Sequence, residues 1–285
     1  MMKNILVPVD FSIQSLNALK MANSIARKSN GTIHLVHVVR QIYSNYEILG
    51  GATTNDVDNV HFHDLKQLVQ KELSRLEMEY KEDSCDIITE VRVGIPFEEI
   101  KKIVKVNDID LVVMGAKGTT DSEEFFIGSL TDKVIRSIDC PVLTVKELTG
   151  SESFDHIVFA TDLEEDPTKI IELLIKLQRL FNSEIHIVTI DTPSIFAQKL
   201  DALDKLQQLA DKYQLSEYSL CNYRHHDTEY GIIEYADEKQ ADLIIMGVHE
   251  RSGFRRLIHG GSIADQVVNH TYRPVLTYRF KPEGE

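Results

Sequence analysis

Residues 110–115 of the chain read Asp-Leu-Val-Val-Met-Gly, and residues 242–247 read Asp-Leu-Ile-Ile-Met-Gly. Each segment is a short apolar, β-branched run between an aspartate and a glycine, which is typical of a buried parallel strand that ends in a turn. Two copies in one chain of 285 residues indicate an internal repeat of about half the chain.

Three further segments occur twice in the same order. Residues 4–10 (NILVPVD) match 156–162 (HIVFATD), residues 31–38 (GTIHLVHV) match 183–190 (SEIHIVTI), and residues 140–145 (CPVLTV) match 273–278 (RPVLTY). The separation falls from 152 to about 132 positions along the chain, so the first repeat contains an insertion after its second strand. The polar stretch 50–56 is its predicted place. The sequence therefore predicts two domains, residues 1–148 and 153–285, joined by a small polar stretch.

Strand and helix patterns alternate within each repeat. The predicted strands of the first repeat are residues 5–9, 32–39, 87–93, 111–114 and 142–145. Ser12 and Pro96 are typical of helix starts, and Gly31 is typical of a helix end. A β-α-β-α order requires right-handed crossovers, which produce a doubly wound sheet with helices on both faces. The predicted fold is α/β, with two tandem five-stranded parallel sheets, one for each repeat.

Composition and charge exclude several classes of protein. Hydrophobic residues make up 42% of the chain, which suffices for two packed cores. The net charge of -14 disfavours nucleic acid as a partner, because phosphate backbones require clustered Lys and Arg. No apolar run approaches the roughly 20 residues that span a bilayer. Three widely spaced cysteines indicate reduced thiols rather than disulfides. We therefore expect a cytoplasmic protein that has no nucleic-acid or membrane partner.

Candidate ligand-binding residues stand at the carboxyl ends of the predicted strands, where ligands bind in open α/β sheets. Asp10 closes the first strand, Val38 the second and Gly115 the fourth. Gly118 follows, and Gly128-Ser129 open the next helix. Backbone N–H groups at a helix N-terminus hold phosphate well, and glycines let the phosphate come close. Ser129 would add a hydroxyl donor while capping its own helix.

The segments Pro8-Val9-Asp10, His37-Val38 and Gly115-x2-Gly118-x9-Gly128-Ser129 resemble the ATP-binding subset of the universal stress protein family. The similarity covers essentially the whole chain, twice. The resemblance implies strand order 3-2-1-4-5 in each repeat. It also implies an intramolecular pseudo-dimer that is built on the fifth strands, has a pseudo-twofold axis, and exists alone or within a homodimer.

The same resemblance implies an adenine nucleotide, ATP or AMP with or without Mg²⁺, as the ligand of the first repeat. The predicted binding residues are Pro8, Asp10, Val38, Met114, Gly115, Gly118, Gly128, Ser129 and Leu130. The loop 119–127 is acidic where relatives often have basic residues.

The second repeat departs from this pattern. Glu250 stands in place of the second glycine, one extra residue precedes Ser262, and Ala160 replaces the proline of the first strand. Its loop 251–256 is basic. The weaker predicted binding set is Asp162, Gly247, Gly260, Gly261 and Ser262. We expect the first repeat to bind nucleotide more tightly than the second.

Each of these residue types also has an ordinary structural interpretation. The glycines and Ser129 would serve turns and caps, and Asp10 and Asp162 would cap the following helices. Histidines within strands, such as 34, 37 and 186, are usually packed and hydrogen-bonded. The pairs 61/63 and 225/226 lack the partners of a usual metal site, so no metal site is predicted.

Catalysis has little support in the sequence. No lysine follows the glycines in the Walker spacing, and no nucleophile–base pair is evident, so no catalytic residue is predicted. The favoured hypothesis is a stress-response regulatory protein that binds nucleotide with little or no turnover. Two alternatives stay open, namely a pseudo-nucleotide-binding interaction scaffold with empty sites and a slow ATPase.

Overall fold

The computed structural model describes residues 2–40, 55–116, 128–147, 152–164, 166–193, 201–248 and 262–280. The strands are Asn4–Pro8 (β1), Thr32–Val39 (β2), Asp86–Val93 (β3), Leu111–Gly115 (β4), Val142–Val145 (β5), His156–Ala160 (β6), Glu184–Asp191 (β7), Tyr218–Arg224 (β8), Leu243–Val248 (β9) and Val275–Arg279 (β10). The helices are Ile13–Ser29 (α1), Asn55–Tyr80 (α2), Pro96–Val106 (α3), Ser129–Ser137 (α4), Thr168–Phe181 (α5), Ala202–Lys212 (α6), Thr228–Glu238 (α7) and Ile263–His270 (α8). Most of the predicted insertion stretch and the middle of the predicted boundary lie outside these ranges.

All ten strands belong to one sheet, in the order β3-β2-β1-β4-β5-β10-β9-β6-β7-β8. Within each half the strands are parallel and follow the order 3-2-1-4-5 that the resemblance implied. The pseudo-dimer on the fifth strands that the resemblance implied is confirmed, because β5 and β10 pair antiparallel; the two predicted five-stranded sheets thereby form one sheet of ten strands. Hydrogen bonding between these two edges leaves neither strand open to a foreign strand.

The register of this junction is symmetric. Leu143 faces Leu276, its equivalent in the other repeat, and the flanking pairs repeat the pattern in reverse. The Thr144 hydroxyl donates to the Val275 carbonyl oxygen (3.1 Å), and the Thr277 hydroxyl makes the matching bond across the junction (3.2 Å). Equivalent residues that face each other are the mark of a twofold relation between the halves.

Two hydrophobic layers cover the sheet, one on each face, and both continue across the junction. One layer combines residues of α1 and α2 with residues of α5 and α6, and the other combines α3 and α4 with α7 and α8. Leu143 and Leu276, 1% and 2% exposed, belong to the first layer. The two repeats therefore share both hydrophobic layers and pack as one body.

The repeated aspartate that precedes the fourth strand holds each half together at its amino-terminal edge. Asp110 Oδ2 accepts hydrogen bonds from the backbone N–H groups of Lys3 (2.6 Å) and Asn4 (3.0 Å). Asp242 accepts the same two bonds at the start of β6 (2.8 and 2.9 Å). These carboxylates satisfy backbone donors that begin the central strand of each half.

Helix ends show where the two repeats agree with the sequence pattern and where they differ. Ser12 caps α1 as predicted, but the left-handed residue at its end is Asn30 (φ 48°) rather than Gly31. Ile13 corresponds to position 165 at the repeat separation of 152 positions, whereas α5 begins only at Thr168. The second repeat therefore lacks the first turn of this helix. In the parts of the chain that the structure describes, no helix combines the length and apolarity that a bilayer span requires.

The shared layers predict one cooperative unfolding transition for the whole chain. Leu143→Ala and Leu276→Ala should each lower the free energy of unfolding by about 2–5 kcal/mol, because each removes a buried side chain from the layer common to both halves. Urea unfolding followed by circular dichroism checks both the transition and the loss. Two separate transitions, with each substitution moving only one, would contradict the single-body packing.

Candidate functional site

A cavity of about 710 Å³ lies at the carboxyl ends of β1, β2 and β4. Among the residues that line it are Pro8, Asp10, Val38, Met114, Gly115, Gly128, Ser129 and Leu130. The structure thus brings eight of the predicted binding residues together, while Gly118 falls outside the described residues. The volume lies within the range of about 300–1,000 Å³ that is usual for small-molecule sites.

Further lining residues were not among the predicted binding residues. The cavity also contacts Ser12, Ser15, His37, Arg40 and Pro96. Arg40 follows β2 directly and is the only cation among the described lining residues. Its signal in the sequence is a basic residue at the end of a strand, which is too common to identify a site unless the fold is known.

The turn between β1 and α1 fixes the carboxylate of Asp10. Its Oδ1 atom accepts hydrogen bonds from the Ser12 backbone N–H (3.0 Å) and from the Ser12 hydroxyl (2.5 Å). That hydroxyl oxygen in turn accepts the N–H of Ser15 and caps α1. Partial burial opposes ionisation of Asp10, but the hydrogen bonds from Ser12 outweigh it and hold the pKa of this carboxyl below its usual value. Asp10 therefore enters the cavity as an oriented anion.

The alternative interpretation of the two aspartates as helix caps was wrong. Ser12 is the cap of α1, and Pro167 occupies the cap position of α5 without a side-chain hydrogen bond. Asp162 accepts a hydrogen bond from the N–H of Glu164 (3.1 Å) within its own turn. Each aspartate shapes the turn before the helix rather than the helix terminus itself.

The same turn contains a left-handed residue in both repeats. Phe11 has φ 65° and Leu163, its equivalent, has φ 63°. Such a conformation is rare for bulky side chains and stores strain, which other contacts must offset. The Phe11 ring stacks on His37 with centroids 5.0 Å apart, and His37 Nδ1 is hydrogen-bonded to the Val9 carbonyl oxygen (2.8 Å). These contacts hold the turn against the end of β2.

Gly115 is required because the start of α1 packs directly on it. A Cβ atom at this position would lie 2.5 Å from the carbonyl carbon of Gln14 and 2.6 Å from the nitrogen of Ser15. Both are backbone atoms, so no rotation of a side chain would relieve the contact. The glycine lets the first turn of α1 close one wall of the cavity.

The N-terminus of α4 faces the cavity without a side-chain cap. The cap position is Gly128 rather than Ser129, which is the first helical residue, so the predicted capping by Ser129 was wrong. The Thr131 hydroxyl, which lies in the same turn, donates to the Gly115 carbonyl oxygen (3.2 Å). A helix N-terminus that lacks a side-chain cap offers backbone N–H groups and a positive dipole end to an anion.

The equivalent terminus in the second repeat is already satisfied. The Ser262 hydroxyl oxygen accepts the N–H of Asp265 (3.2 Å), and Asp265 Oδ2 accepts the N–H of Ser262 (2.7 Å), which together form a capping box. Arg136 of α4 reaches across the junction to Asp265 (2.6 Å) and also pairs with Asp132 (2.8 Å). The first turn of α4 contains the equivalent carboxylate, Asp132, but the cap position there is Gly128, which has no side chain to complete a capping box.

Phe280 occupies the second site at the position that α1 takes in the first. A Cβ atom on Gly247 would overlap Cε2 of the Phe280 ring. The ring fills this place because α5 begins one turn later than α1. Of the weaker predicted set, Gly247, Asp162 and Ser262 are therefore committed to protein contacts, and Gly260 and Gly261 lie outside the described residues.

Comparisons with known proteins match both halves of the chain to one family. The sequence profile of the universal stress protein family matches residues 1–146 and again residues 153–279. A universal stress protein of Synechocystis is 25% identical over 98% of this chain and 100% of its own length. One of Methanocaldococcus jannaschii is 33% identical over 51% of this chain and 96% of its own length. The crystal structure of a universal stress protein from Archaeoglobus fulgidus has the same fold, with a TM-score of 0.78, 18% identity and coverage of 98% and 99% of the two chains.

The two packed glycines predict different responses to an added methyl group. Gly115→Ala should lower the free energy of unfolding by about 1–3 kcal/mol, because the start of α1 must move. Gly247→Ala meets a ring that can rotate away, so its cost should fall when Phe280→Ala is also present. Urea unfolding of the single and double variants measures both. An equal cost of Gly247→Ala with and without the ring would contradict this assignment.

Proposed function

The chain belongs to the universal stress protein family, and we propose that its first repeat binds an adenine nucleotide, ATP or AMP, in a regulatory role in the stress response. The observation that carries this proposal is the cavity at the ends of β1, β2 and β4, which is lined by eight residues of the predicted nucleotide motif. Binding rather than turnover is the proposed activity.

The phosphates would lie at the N-terminus of α4. Gly128 leaves this terminus without a side-chain cap, and a Cβ atom built on Gly128 would meet nothing within 4 Å, so there is space for a ligand. Arg40 lines the cavity and supplies a positive charge, and Asp10 supplies a negative charge to the same cavity. Backbone donors, a dipole end and one guanidinium are a suitable set for a phosphate chain.

The base would lie against the end of β2. The Val36 carbonyl oxygen points toward β1, where it accepts the N–H of Val9 (2.8 Å). Because backbone groups alternate in direction along a strand, Val38 presents its N–H and C=O on the same side, just beyond the end of β1. A donor and an acceptor that lie side by side suit the edge of an adenine ring.

Slow ATPase activity and an empty interaction scaffold are the two alternatives. Among the described lining residues, Arg40 is the only cation, and phosphoryl transfer requires several cations around the reacting phosphate. Mg²⁺ would bind through the nucleotide phosphates rather than through a cage of protein ligands. Mass spectrometry of what leaves the denatured purified protein separates the hypotheses, since co-purified ATP or AMP favours regulation and an empty chain favours the scaffold.

We propose a cytoplasmic location, with the protein as one chain or as a homodimer. Burial raises the pKa of the Cys85 thiol to about 11 and that of Cys140 to about 12, so both remain protonated and unreactive. All three cysteines are free. Free, buried thiols suit a reducing compartment.

The first repeat should bind nucleotide and the second should not. In the second repeat the capping box at Ser262 uses the helix N-terminus and Phe280 covers Gly247. Calorimetric titration of the full chain with ATP and with AMP should therefore give one nucleotide per chain. Two nucleotides per chain would show that the capping box and the ring yield to the ligand.

Gly128→Asp separates binding from folding. An aspartate at this position would cap α4, so the stability should stay equal or rise by a few tenths of a kcal/mol. Its carboxylate would compete for the N–H groups and repel phosphate by about 1–4 kcal/mol, which weakens binding at least about fivefold. Thermal melting with and without ATP measures both effects.

Gly128→Ser is the matched control, because it supplies a cap of similar size without a charge. It should weaken binding less than Gly128→Asp does. If Gly128→Asp bound ATP as tightly as the natural protein, the phosphates would not lie at α4 and the proposed orientation would be wrong.

A further inference from the structure

Two histidines and a glutamate meet at the amino ends of β6 and β7, on the side of the sheet opposite to the strand ends that form the cavity. His156 begins β6 and pairs with Glu184, which begins β7, while His186 lies two residues further along β7. Because strand residues two apart point to the same face, all three side chains lie on one face. This edge is remote from the cavity, which lies at the carboxyl ends of the strands of the other repeat.

The ligand atoms of this cluster have the spacing of a metal site. His156 Nδ1 lies 3.4 Å from His186 Nε2 and 3.7 Å from Glu184 Oε2. One ligand atom from each residue lies within 4.8 Å of the other two. Zinc bonds of about 2.0–2.1 Å in a tetrahedron place neighbouring ligand atoms roughly 3.4 Å apart. Small side-chain rotations would close the cluster around one ion.

A hydrogen bond to the neighbouring strand already orients His186. Its Nδ1 atom is hydrogen-bonded to the Ser219 hydroxyl on β8 (2.7 Å). If Nδ1 carries the proton, the lone pair of Nε2 points into the cluster, which is the tautomer that a metal needs. The His186 side chain is buried, and its contact with Ser219 fixes the orientation of the ring. A metal-ligating histidine usually has this kind of outer partner.

The first repeat supplies an internal comparison. The positions equivalent to His156 and Glu184 are Asn4 and Thr32, and only His34 retains the ring of His186. His34 Nδ1 lies 3.2 Å from the Asn107 side-chain nitrogen instead of facing a second ring. The three-ligand set thus exists in the second repeat alone.

We propose that His156, Glu184 and His186 bind one Zn²⁺ ion, with the fourth coordination position open to water. Two imidazoles and a carboxylate are a common zinc donor set when one position stays open. The His156 and Glu184 side chains are 44% and 49% exposed, which gives the ion a path from solvent. The bound ion ties the amino end of β6 to that of β7.

Zinc titration of the full-length, EDTA-stripped protein tests the site. His156→Asn combined with Glu184→Thr gives the second repeat the residues of the first and should remove one equivalent of bound Zn²⁺ in calorimetry. Both side chains are about half exposed, so the metal-free melting temperature should change little. His34→Asn is the matched control in the first repeat and should keep the full stoichiometry. A natural protein that binds no Zn²⁺, or a double variant that keeps every equivalent, would overturn the site.

Cobalt reports on the geometry directly. Co²⁺ bound to the natural protein should show the intense visible absorption of a four-coordinate ion, and the double variant should lack it. Ser219→Ala should keep this spectrum but weaken Zn²⁺ binding by about 10–100-fold, because the outer partner of His186 is lost. The weak spectrum of a six-coordinate ion in the natural protein would overturn the proposed ligand set.

Discussion

The antiparallel pairing of β5 with β10 is the constraint on which the rest of the molecule depends. Each half alone would end in an apolar edge strand with unpaired backbone groups. Pairing equivalent residues around Leu143 and Leu276 removes both edges at once and aligns the helices of the two halves. The two hydrophobic layers then run without a break across ten strands. The site in the first repeat therefore lies on a sheet of ten strands, five of which belong to the other repeat.

Local patterns predict the strands and the positions at their ends, and the family resemblance implies the strand order and the binding residues of the first site. Buried parallel strands are apolar throughout, and Asp10, Val38 and Gly115 stand where such strands end. The joining of the two halves through their fifth strands was predicted from the family resemblance and not from local patterns, since pairing two edges is a long-range event. The sequence also misses which of Gly128 and Ser129 is the cap, because one residue of backbone geometry decides this. The cluster around His186 escapes notice because His156 lies 28 residues before Glu184 and 30 before His186, and meets them only through strand register.

Small differences separate two sites that share one ancestor in sequence. The cap position of α4 is Gly128 in the first repeat, whereas in the second repeat Ser262 and Asp265 form a capping box at the start of α8. Where the first turn of α1 covers Gly115, a shorter α5 leaves room for the Phe280 ring. Neither change disturbs the strands, since the cap and the ring lie beyond the strand ends. The sheet thus stays the same in both repeats, while the residues at the carboxyl ends of its strands differ.

Arg136 shows what fusion into one chain makes possible. The residue contacts two equivalent acids, Asp132 of its own repeat and Asp265 of the other, and its own equivalent is Asn269. In an assembly of two identical subunits this arginine would occur twice, and two guanidinium groups would crowd beside the axis. A fused gene can alter one copy and keep the other, so a single cation serves both carboxylates. Only a tandem protein can carry different residues at equivalent positions, because both subunits of a homodimer have the same sequence. The two halves can therefore take different roles.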